Sequence, residues 1–208
     1  MEKNIIILSL SINETKIISS KLKEVSLVSI NLWDDLVKSP IITSNFDALI
    51  ITGSEDFLKE NNSDLKIPTN LLTTTKSALM NDMPILGINL GMHVINLALG
   101  GKYPKFTPPV APNESNQKRK DIFISPGSKL TTIIGYAGLM RIGQPNSYGI
   151  SITEKSDILR ASCYSVENGI IEAFESDEHN WVLGTRFDPF GPHIPPNFEH
   201  ILESFLNT

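Results

Sequence analysis

The sequence predicts an α/β fold in which helices flank a mostly parallel sheet that also carries antiparallel strands. Three observations support this class. Short apolar runs bounded by turn residues recur in the first half of the chain, which is typical of strands buried on both faces. Stretches with helical spacing separate these runs, and alternating strands and helices imply parallel pairing through right-handed crossovers. The second half of the chain contains a hairpin signal.

Four buried strands and two helices are predicted in the first half. We expect the strands at residues 5–10, 25–30, 48–51 and 85–88. One helix is expected within residues 65–80, where leucines and an alanine give a partly helical spacing, and another over residues 92–99. Residues 103–120 are rich in proline and polar side chains and lack periodicity, so they are predicted to form a long surface loop.

Three further strands and a final helix are predicted in the second half. We expect the strands at residues 158–166, 170–174 and 181–187, and a short amphipathic helix at residues 198–206. Glu167, Asn168 and Gly169 are expected to form the hairpin turn, because Asn and Gly both tolerate positive φ. The chain shows no internal repeat and no linker composition. Residues 1–208 are therefore predicted to form a single domain.

Composition and charge limit the classes of partner. The chain is 40% hydrophobic and 20% charged with a net charge of -5, which argues against a nucleic-acid partner. Its one cluster of positive charge, Lys118, Arg119 and Lys120, is predicted to lie on a solvated loop rather than to bind phosphate. No apolar run approaches the roughly 20 residues that span a bilayer, so we expect no membrane association.

The N-terminal run and the cysteine content bear on location. We expect the first apolar run to be a strand rather than a signal peptide, because it is short and no small-residue cleavage site follows it. The single cysteine, Cys163, excludes an internal disulfide and fits a reducing compartment. The sequence therefore predicts a cytoplasmic protein.

Residues 84–93, Pro-Ile-Leu-Gly-Ile-Asn-Leu-Gly-Met-His, carry the most informative pattern. A buried strand runs directly into a helix, and Gly87 and Gly91 flank Asn89 symmetrically. This is the nucleophile-elbow pattern, in which small flanking residues allow a sharp turn that exposes the central side chain. The central residue is commonly held at positive φ, which Asn adopts more readily than most residues. Asn89 is therefore predicted to preserve the turn while supplying no nucleophile.

Several segments, in the correct order, resemble class I glutamine amidotransferases, and most closely their γ-glutamyl-γ-aminobutyrate hydrolase branch. These segments are residues 46–56, 87–93, 96–101, 124–135, 145–149, 167–173 and 182–190. The resemblance implies a flavodoxin-like layered α/β fold and a Cys-His-Glu triad that hydrolyses a γ-glutamyl amide through a thioester. It also implies an oxyanion hole built from a glycine-rich loop and the amide that follows the cysteine.

Carried over residue by residue, the triad positions hold residues without the triad's chemistry. The cysteine falls on Asn89, and residues 182–190 are similar to Val-Leu-Gly-Val-Gln-Trp-His-Pro-Glu, which puts the histidine on Asp188 and the glutamate on Phe190. A carboxamide is not a useful nucleophile, since thioester formation needs a thiolate. A carboxylate with an ordinary pKa of about 4 is a weak base at neutral pH, and a phenyl ring cannot orient a proton. We therefore expect the family's reaction to be lost.

The walls of the former pocket also depart from the family's pattern. Ser54 stands where the oxyanion loop usually has its second glycine, and His93 replaces the glutamine of the elbow helix. Tyr148 lies in a segment similar to the family's Val-Asn-Ser-x-His. The residues that the resemblance assigns to the former oxyanion and substrate pocket are Gly53, Ser54, Leu90, His93, Asn146, Ser147 and Tyr148.

Two interpretations of this polar set stay open. Asn89, His93 and Asp188 form either a hydrogen-bonded remnant that fills the old pocket or a new site. In the second case, with Glu55 or Asp56 nearby, they would bind a cation or act as a different acid–base pair. Neither a resident metal nor a cofactor is expected.

The remaining thiol and histidines point to structural roles. Cys163 lies within a predicted strand far from the elbow, so we expect a buried core residue. His179, His193 and His200 lack ligand-like spacing with carboxylates and are expected at the surface.

Three functions are compatible with this sequence. The first is a catalytically inactive amidotransferase-like protein that acts as a binding or regulatory module, with a protein partner or a small γ-glutamyl-like ligand. The second is an enzyme with redirected hydrolase chemistry in the former pocket, and the third is a divergent γ-glutamyl amide hydrolase. The apolar replacement at Phe190 favours binding over a new enzyme, which would need convergent ionisable groups. The resemblance also implies self-association, for which a homodimer is the expected form.

Overall fold

A central sheet organises the fold. The computed structural model describes residues 3–10, 12–23, 26–33, 40–54, 67–107, 119–143, 148–191 and 194–208. The strands are β1 (Lys3–Ser9), β2 (Ser26–Leu32), β3 (Ala48–Gly53), β4 (Ile85–Asn89), β5 (Lys105–Phe106), β6 (Arg119–Ile124), β7 (Gly138–Gly143), β8 (Tyr148–Gly149), β9 (Leu159–Ser165), β10 (Ile171–Ser176) and β11 (Val182–Thr185).

Five helices accompany these strands in the described part of the chain. They are α1 (Ile12–Leu22), α2 (Thr69–Met80), α3 (Leu90–Ala98), α4 (Lys129–Ile134) and α5 (His200–Leu206), with a 3-10 turn at Thr43–Asn45. The short helix α4 has a defined start, because the Ser128 hydroxyl accepts a hydrogen bond from the Thr131 amide at 3.0 Å. It ends at Gly135, whose φ of 71° suits a left-handed cap.

The described strands form a nine-stranded sheet in the order β2-β1-β3-β4-β11-β10-β9-β6-β7. Pairing is parallel from β2 to β11 and antiparallel from β11 to β7. The strands β5 and β8 form a separate antiparallel pair. This arrangement confirms the predicted α/β class, including the antiparallel strands at one side of a mostly parallel sheet.

Helices cover both faces of the sheet and create two apolar clusters. In the first cluster, Leu71 of α2 and Val94 of α3 pack against apolar residues of the strands. In the second cluster, Ile18 of α1, Leu130 of α4 and Phe205 of α5 pack on the other face. The interior strand β3 is buried along its whole length, as expected for a strand covered on both faces. Burial on both faces, as predicted, therefore holds for most of β1, β3 and β4. It is wrong for β2, which is only partly buried because it lies at the edge of the sheet with β1 as its one described neighbour.

The predicted hairpin turn forms between β9 and β10, which pair antiparallel. The amide of Gly169 donates to the carbonyl of Ser165 at 3.0 Å, and Gly169 has a φ of 68°. Asn168 contributes through its side chain instead, because its carboxamide oxygen accepts a hydrogen bond from the Ile170 amide at 3.2 Å. Glycine alone therefore supplies the positive φ within this turn.

The prediction of a surface loop over residues 103–120 is wrong at both of its described ends. Residues 105–106 form β5, and β6 begins at Arg119; residues 108–118, including Lys118, lie outside the described part. Lys120 is 7% exposed rather than solvated, and its ammonium contacts the Glu172 carboxylate at 2.6 Å. Alternation along β6 turns Lys120 to the same face as the buried Ile122, which a run of three basic residues does not indicate.

Candidate functional site

Three parallel strands end side by side and place the predicted site residues at one edge of the sheet. Gly53 at the end of β3 lies opposite Asn89 at the end of β4, and Thr185 at the end of β11 lies opposite Ile88. Carboxyl ends of adjacent parallel strands form the usual ligand-binding edge of such a sheet. The structure therefore brings Gly53, Asn89 and the segment that follows Thr185 to a common edge, as the sequence predicts.

The elbow has the strained geometry that the sequence predicts. Asn89 has φ 53° and ψ −115°, and helix α3 begins at the next residue, the fully buried Leu90. This combination lies outside the small left-handed helical region and is costly for a residue with a side chain. Among the described residues, the non-glycine residues at positive φ are all Asn or Asp. The predicted positive φ of Asn89 is therefore confirmed.

Both flanking glycines are required by close packing around the elbow. A Cβ on Gly91 would lie 1.9 Å from the backbone oxygen of Ile51, so the first turn of α3 contacts β3 directly. A Cβ on Gly87 would lie 2.7 Å from the oxygen of Gly91 and 2.6 Å from Cδ1 of Ile95. Since backbone atoms cannot move aside cheaply, these contacts fix the angle between β4 and α3.

Asp188, at the histidine position of the family, is engaged in its own turn. Its Oδ1 accepts a hydrogen bond from the amide of Phe190 at 2.9 Å. Burial raises the pKa of the Asp188 carboxyl, and the hydrogen bond from the Phe190 amide opposes that increase. The carboxylate thus has a structural task in the segment after β11.

Phe190, at the position of the family's glutamate, packs against apolar side chains. Its ring is partly buried against the second apolar cluster, which α1 and α5 share. It also lines a surface cavity of about 320 Å³ whose other walls include Pro189, Ile194 and Pro196. An apolar ring in this place offers contact surface and no proton chemistry.

His93 is buried in the first turns of α3 and has no hydrogen-bond partner among the described residues on either ring nitrogen. It is 1% exposed. Burial lowers the pKa of His93 to about 3, and the positive charge of Arg186 contributes to that decrease. The imidazole is therefore neutral at pH 7 and a weak base. Two unsatisfied nitrogens in the interior also carry a desolvation cost.

A buried ionic cluster, which the sequence analysis did not identify, lies beside His93. The carboxylate of Glu172 contacts Lys120 Nζ at 2.6 Å and Arg186 Nη1 at 2.8 Å, and its own side chain is fully buried. Burial holds the pKa of Lys120 below its ordinary value, although the charge of Glu172 raises it. We refer to Lys120, Glu172 and Arg186 as the buried ionic cluster.

Arg186 connects this cluster to the strand β8. Its Nε donates to the carbonyl oxygen of Tyr148 at 2.7 Å, and its Nη2 donates to Thr107 Oγ1 at 3.4 Å. A Cβ on Gly149 would lie 3.2 Å from Arg186 Cζ, so the guanidinium lies close to this backbone. One feature of the sequence could have indicated this cluster. In the segment similar to Val-Leu-Gly-Val-Gln-Trp-His-Pro-Glu, the charged Arg186 stands in place of glutamine.

The remaining predicted pocket residues are only partly described. Ser54 directly follows β3 and is half-buried, and Tyr148 is half-buried with its ring edge-on to Phe106 at a centroid distance of 5.6 Å. Asn146 and Ser147 lie outside the described residues, and so do Glu55 and Asp56 of the cation hypothesis. Across the ranges that the structure describes, no group of three or more His, Cys, Asp or Glu side chains is arranged to hold a metal ion.

Cys163 is a core residue, as predicted. It is fully buried in the second apolar cluster, and burial, with the nearby charge of Glu172, raises the pKa of its thiol well above the ordinary value. It is the only thiol in the sequence, and it cannot serve as a replacement nucleophile while buried and protonated.

The histidines predicted at the surface are partly buried where they are described. His179 Nδ1 lies 2.8 Å from the Ser176 hydroxyl, and His200 begins α5. Both side chains are half-buried, because each packs at the end of a regular element, and sequence spacing does not reveal this. His193 lies outside the described residues. No helix in the described segments is long and apolar enough to cross a membrane.

The fold and the elbow define a glutamine-amidotransferase-like protein, and comparisons with known proteins agree. The chain matches the Peptidase C26 family over residues 19–189. It is 28% identical over 120 residues to a Mycobacterium tuberculosis protein that carries the name of a glutamine amidotransferase. That match covers 55% of this chain and 37% of the relative, so the chain spans well under half the length of that relative.

Solved structures show the same fold at low sequence identity. A Thermoplasma acidophilum protein that carries the name of a GMP synthase component has a TM-score of 0.71 and 16% identity, covering 100% of this chain and 94% of that one. A glutamine amidotransferase from Methylobacillus flagellatus has a TM-score of 0.67 and 14% identity, covering 98% and 76%. One from Thermotoga maritima has a TM-score of 0.64 and 13% identity, covering 100% and 84%.

Because the family match extends over most of the chain, this protein belongs to the Peptidase C26 family, whose fold is that of the class I glutamine amidotransferases.

Proposed function

We propose that the chain is a catalytically inactive member of its family that acts as a binding or regulatory module. The observation that carries this proposal is the elbow itself. Its backbone geometry holds Asn89, a side chain without nucleophilic chemistry, where the family's mechanism requires a thiolate. A backbone that stays strained in the absence of the nucleophile supports a role for the pocket in binding.

The surroundings of the elbow support loss of chemistry more than its redirection. A redirected hydrolase would need a general base that is neutral or anionic, accessible and close to a water or substrate. The pKa of His93, lowered to about 3, makes this imidazole a poor base at neutral pH, and it is almost completely buried. The Asp188 carboxylate accepts a hydrogen bond within its own turn.

The proposed ligand is a small γ-glutamyl-like compound or a segment of a protein partner. The buried ionic cluster holds two cations and one anion, and the guanidinium of Arg186 lies close enough to His93 to lower its pKa. A carboxylate-bearing ligand would gain favourable electrostatic energy from such a cation in a poorly hydrated site. The single buried thiol supports a reducing compartment, and we propose the cytoplasm as the location.

The test is an assay of ammonia and glutamate release from glutamine and from γ-glutamyl-γ-aminobutyrate. The wild-type chain is compared with Asn89→Ala and with a triple variant that restores Asn89→Cys, Asp188→His and Phe190→Glu. We expect no release by the wild type. Release that disappears in Asn89→Ala would show an active elbow, and release that persists in Asn89→Ala would show another active site; either result refutes the proposal.

Binding is tested separately by thermal shift. Glutamate, glutamine and γ-glutamyl amides are added to the inactive wild type and to Arg186→Gln, which keeps hydrogen-bond donors but removes the charge. A ligand at 100 times its dissociation constant stabilises the folded state by about 2.7 kcal/mol. A shift seen in the wild type and reduced in Arg186→Gln supports a carboxylate-binding pocket, whereas equal shifts in both proteins remove Arg186 from recognition.

A further inference from the structure

The two edges of the central sheet differ in how they are protected. At one edge, β7 carries Arg141, which forms a two-pronged ion pair with Asp121 of β6 at 2.6 and 3.0 Å, and glycines begin and end the strand. At the other edge, β2 reads Ser-Leu-Val-Ser-Ile-Asn-Leu, without a charged residue or a proline. Natural edge strands usually carry such features because an unprotected edge pairs with another chain.

Within the described residues, β2 pairs with β1 on one side only. Its free side therefore presents outward the backbone donors and acceptors of alternate residues, while the other residues bond to β1. Val28 and Ile30 are half-buried against the second apolar cluster, while Leu27 on the opposite face is 56% exposed. A strand with apolar side chains on both faces and an uncharged edge suits pairing with a further strand.

We propose that β2 is the contact of a homodimer, in which two copies pair antiparallel about a two-fold axis at Ser29 and form one continuous sheet. Ser29 is the middle residue of the strand, so this register uses all seven residues of each copy. It places Ser29 opposite Ser29, Val28 opposite Ile30, Leu27 opposite Asn31 and Ser26 opposite Leu32. This interface is independent of whether the elbow is active.

The chemistry of the strand favours a second copy over a different partner. A two-fold contact must be self-complementary. Here Val28 and Ile30 of one copy lie opposite Ile30 and Val28 of the other, and Ser29 lies opposite Ser29 of the other copy. The pairing of Val28 with Ile30 occurs twice and continues the second apolar cluster across the axis. With no charge on β2, no like charges are opposed at the seam.

Helix α1 adds apolar surface on the face of the sheet that carries Val28 and Ile30. It packs against β2 and belongs to the second apolar cluster through Ile18 and Leu22. Two of its isoleucines are exposed, Ile12 at 53% and Ile17 at 47%. An antiparallel contact about an axis perpendicular to the sheet keeps both copies of α1 on one side of the shared sheet.

The first test is the mass of the native chain by light scattering after size exclusion. We expect twice the monomer mass of 23.0 kDa for the wild type and the monomer mass for Ser29→Lys, because the two lysines would face each other across the axis. Ser29 is exposed, so this variant should fold, which circular dichroism checks. Leu139→Lys, on the exposed face of the opposite edge strand, should remain dimeric.

Mixing tests the symmetry of the contact. Ser29→Glu alone should be monomeric, and an equal mixture of Ser29→Glu and Ser29→Lys should form a heterodimer, because opposite charges then meet at the axis. A monomeric wild type overturns the proposal. So does a dimer that survives Ser29→Lys, or a dimer that Leu139→Lys disrupts equally.

Crosslinking tests the register. Ser29→Cys places two thiols opposite each other at a Cα separation of about 4.5–5.5 Å, within the range for a disulfide. Leu27→Cys is the matched control on the same face, where the two thiols would be about 14 Å apart along the strands. Since the native Cys163 is fully buried, the introduced thiol is the reactive one. A disulfide-linked dimer from Ser29→Cys alone supports the register, and crosslinking through Leu27→Cys instead refutes it.

Discussion

Neutralising Glu172 should be one of the most destabilising single changes in the protein. Its carboxylate is fully buried and lies between Lys120 and Arg186, which are 7% and 4% exposed. The substitution Glu172→Gln keeps the shape of the side chain and removes the charge, so two buried cations face each other without the anion that separates them. Breaking a buried ion pair in this way costs about 3–5 kcal/mol of the free energy of unfolding.

Urea denaturation followed by fluorescence measures this cost. With a slope of about 2 kcal/mol per M, the midpoint should fall by about 1.5–2.5 M. For a domain of this size, the melting temperature should fall by about 6–20 °C. The matched control is Asp121→Asn, because Asp121 and Arg141 form an ion pair that is 42% and 64% exposed. That change should cost less than about 1 kcal/mol.

The pH dependence of the variant adds a second criterion. Burial holds the pKa of Lys120 below its ordinary 10.5, and removing the charge of Glu172 lowers it further. The unfolded state then binds more protons than the folded state between the two pKa values, so stability rises with pH across that window. The loss in free energy of unfolding caused by Glu172→Gln should therefore become smaller as the pH approaches 10.5. A deficit no larger than that of Asp121→Asn, or one that grows with pH, would refute this account of the cluster.

Three further predictions concern the elbow and its helix. Asn89→Val should lower the free energy of unfolding by about 1–3 kcal/mol in a urea titration, because a β-branched residue suits positive φ poorly, whereas Asn89→Gly should change it little. Gly91→Ala should abolish soluble folded protein on expression, since its Cβ would lie 1.9 Å from the Ile51 oxygen; soluble protein with wild-type circular dichroism would contradict this packing. The pKa of His93 falls from 6.5 to about 3, so the unfolded state binds more protons and stability should drop as the pH falls through that window, by up to about 1.4 kcal/mol per pH unit. His93→Leu should flatten this part of the stability profile, and an unchanged profile would show that another group titrates.

Much of the fold was predictable because the signals are local. The apolar runs predicted β1, β3 and β4, and the Gly-x-Asn-x-Gly spacing predicted the positive φ of Asn89. The positive φ follows from chain sterics, and the apolar runs follow from burial on two faces. Each signal is contained within one short segment of the sequence. The hairpin at Gly169 was predictable for the same reason.

The buried ionic cluster was not predictable by these means. Lys120 and Glu172 are 52 positions apart, and their contact depends on the register of β6, β9 and β10 across the sheet. A run of basic residues at 118–120 signals a solvated segment on average, and only tertiary pairing turns one of them inward. The same holds for Phe190, whose packing against the second apolar cluster depends on a cluster assembled from distant parts of the chain.

The strain at the elbow means that the conformational cost of a catalytic turn is already included in the folded state of this chain. Gly91 is fixed against Ile51, and Gly87 against Gly91, so packing on both sides holds the backbone at position 89 for any side chain that tolerates positive φ. New reactive groups can therefore be introduced at position 89 and compared on one backbone. The protein is in this respect a natural host in which the chemistry of the side chain can be separated from the geometry that presents it.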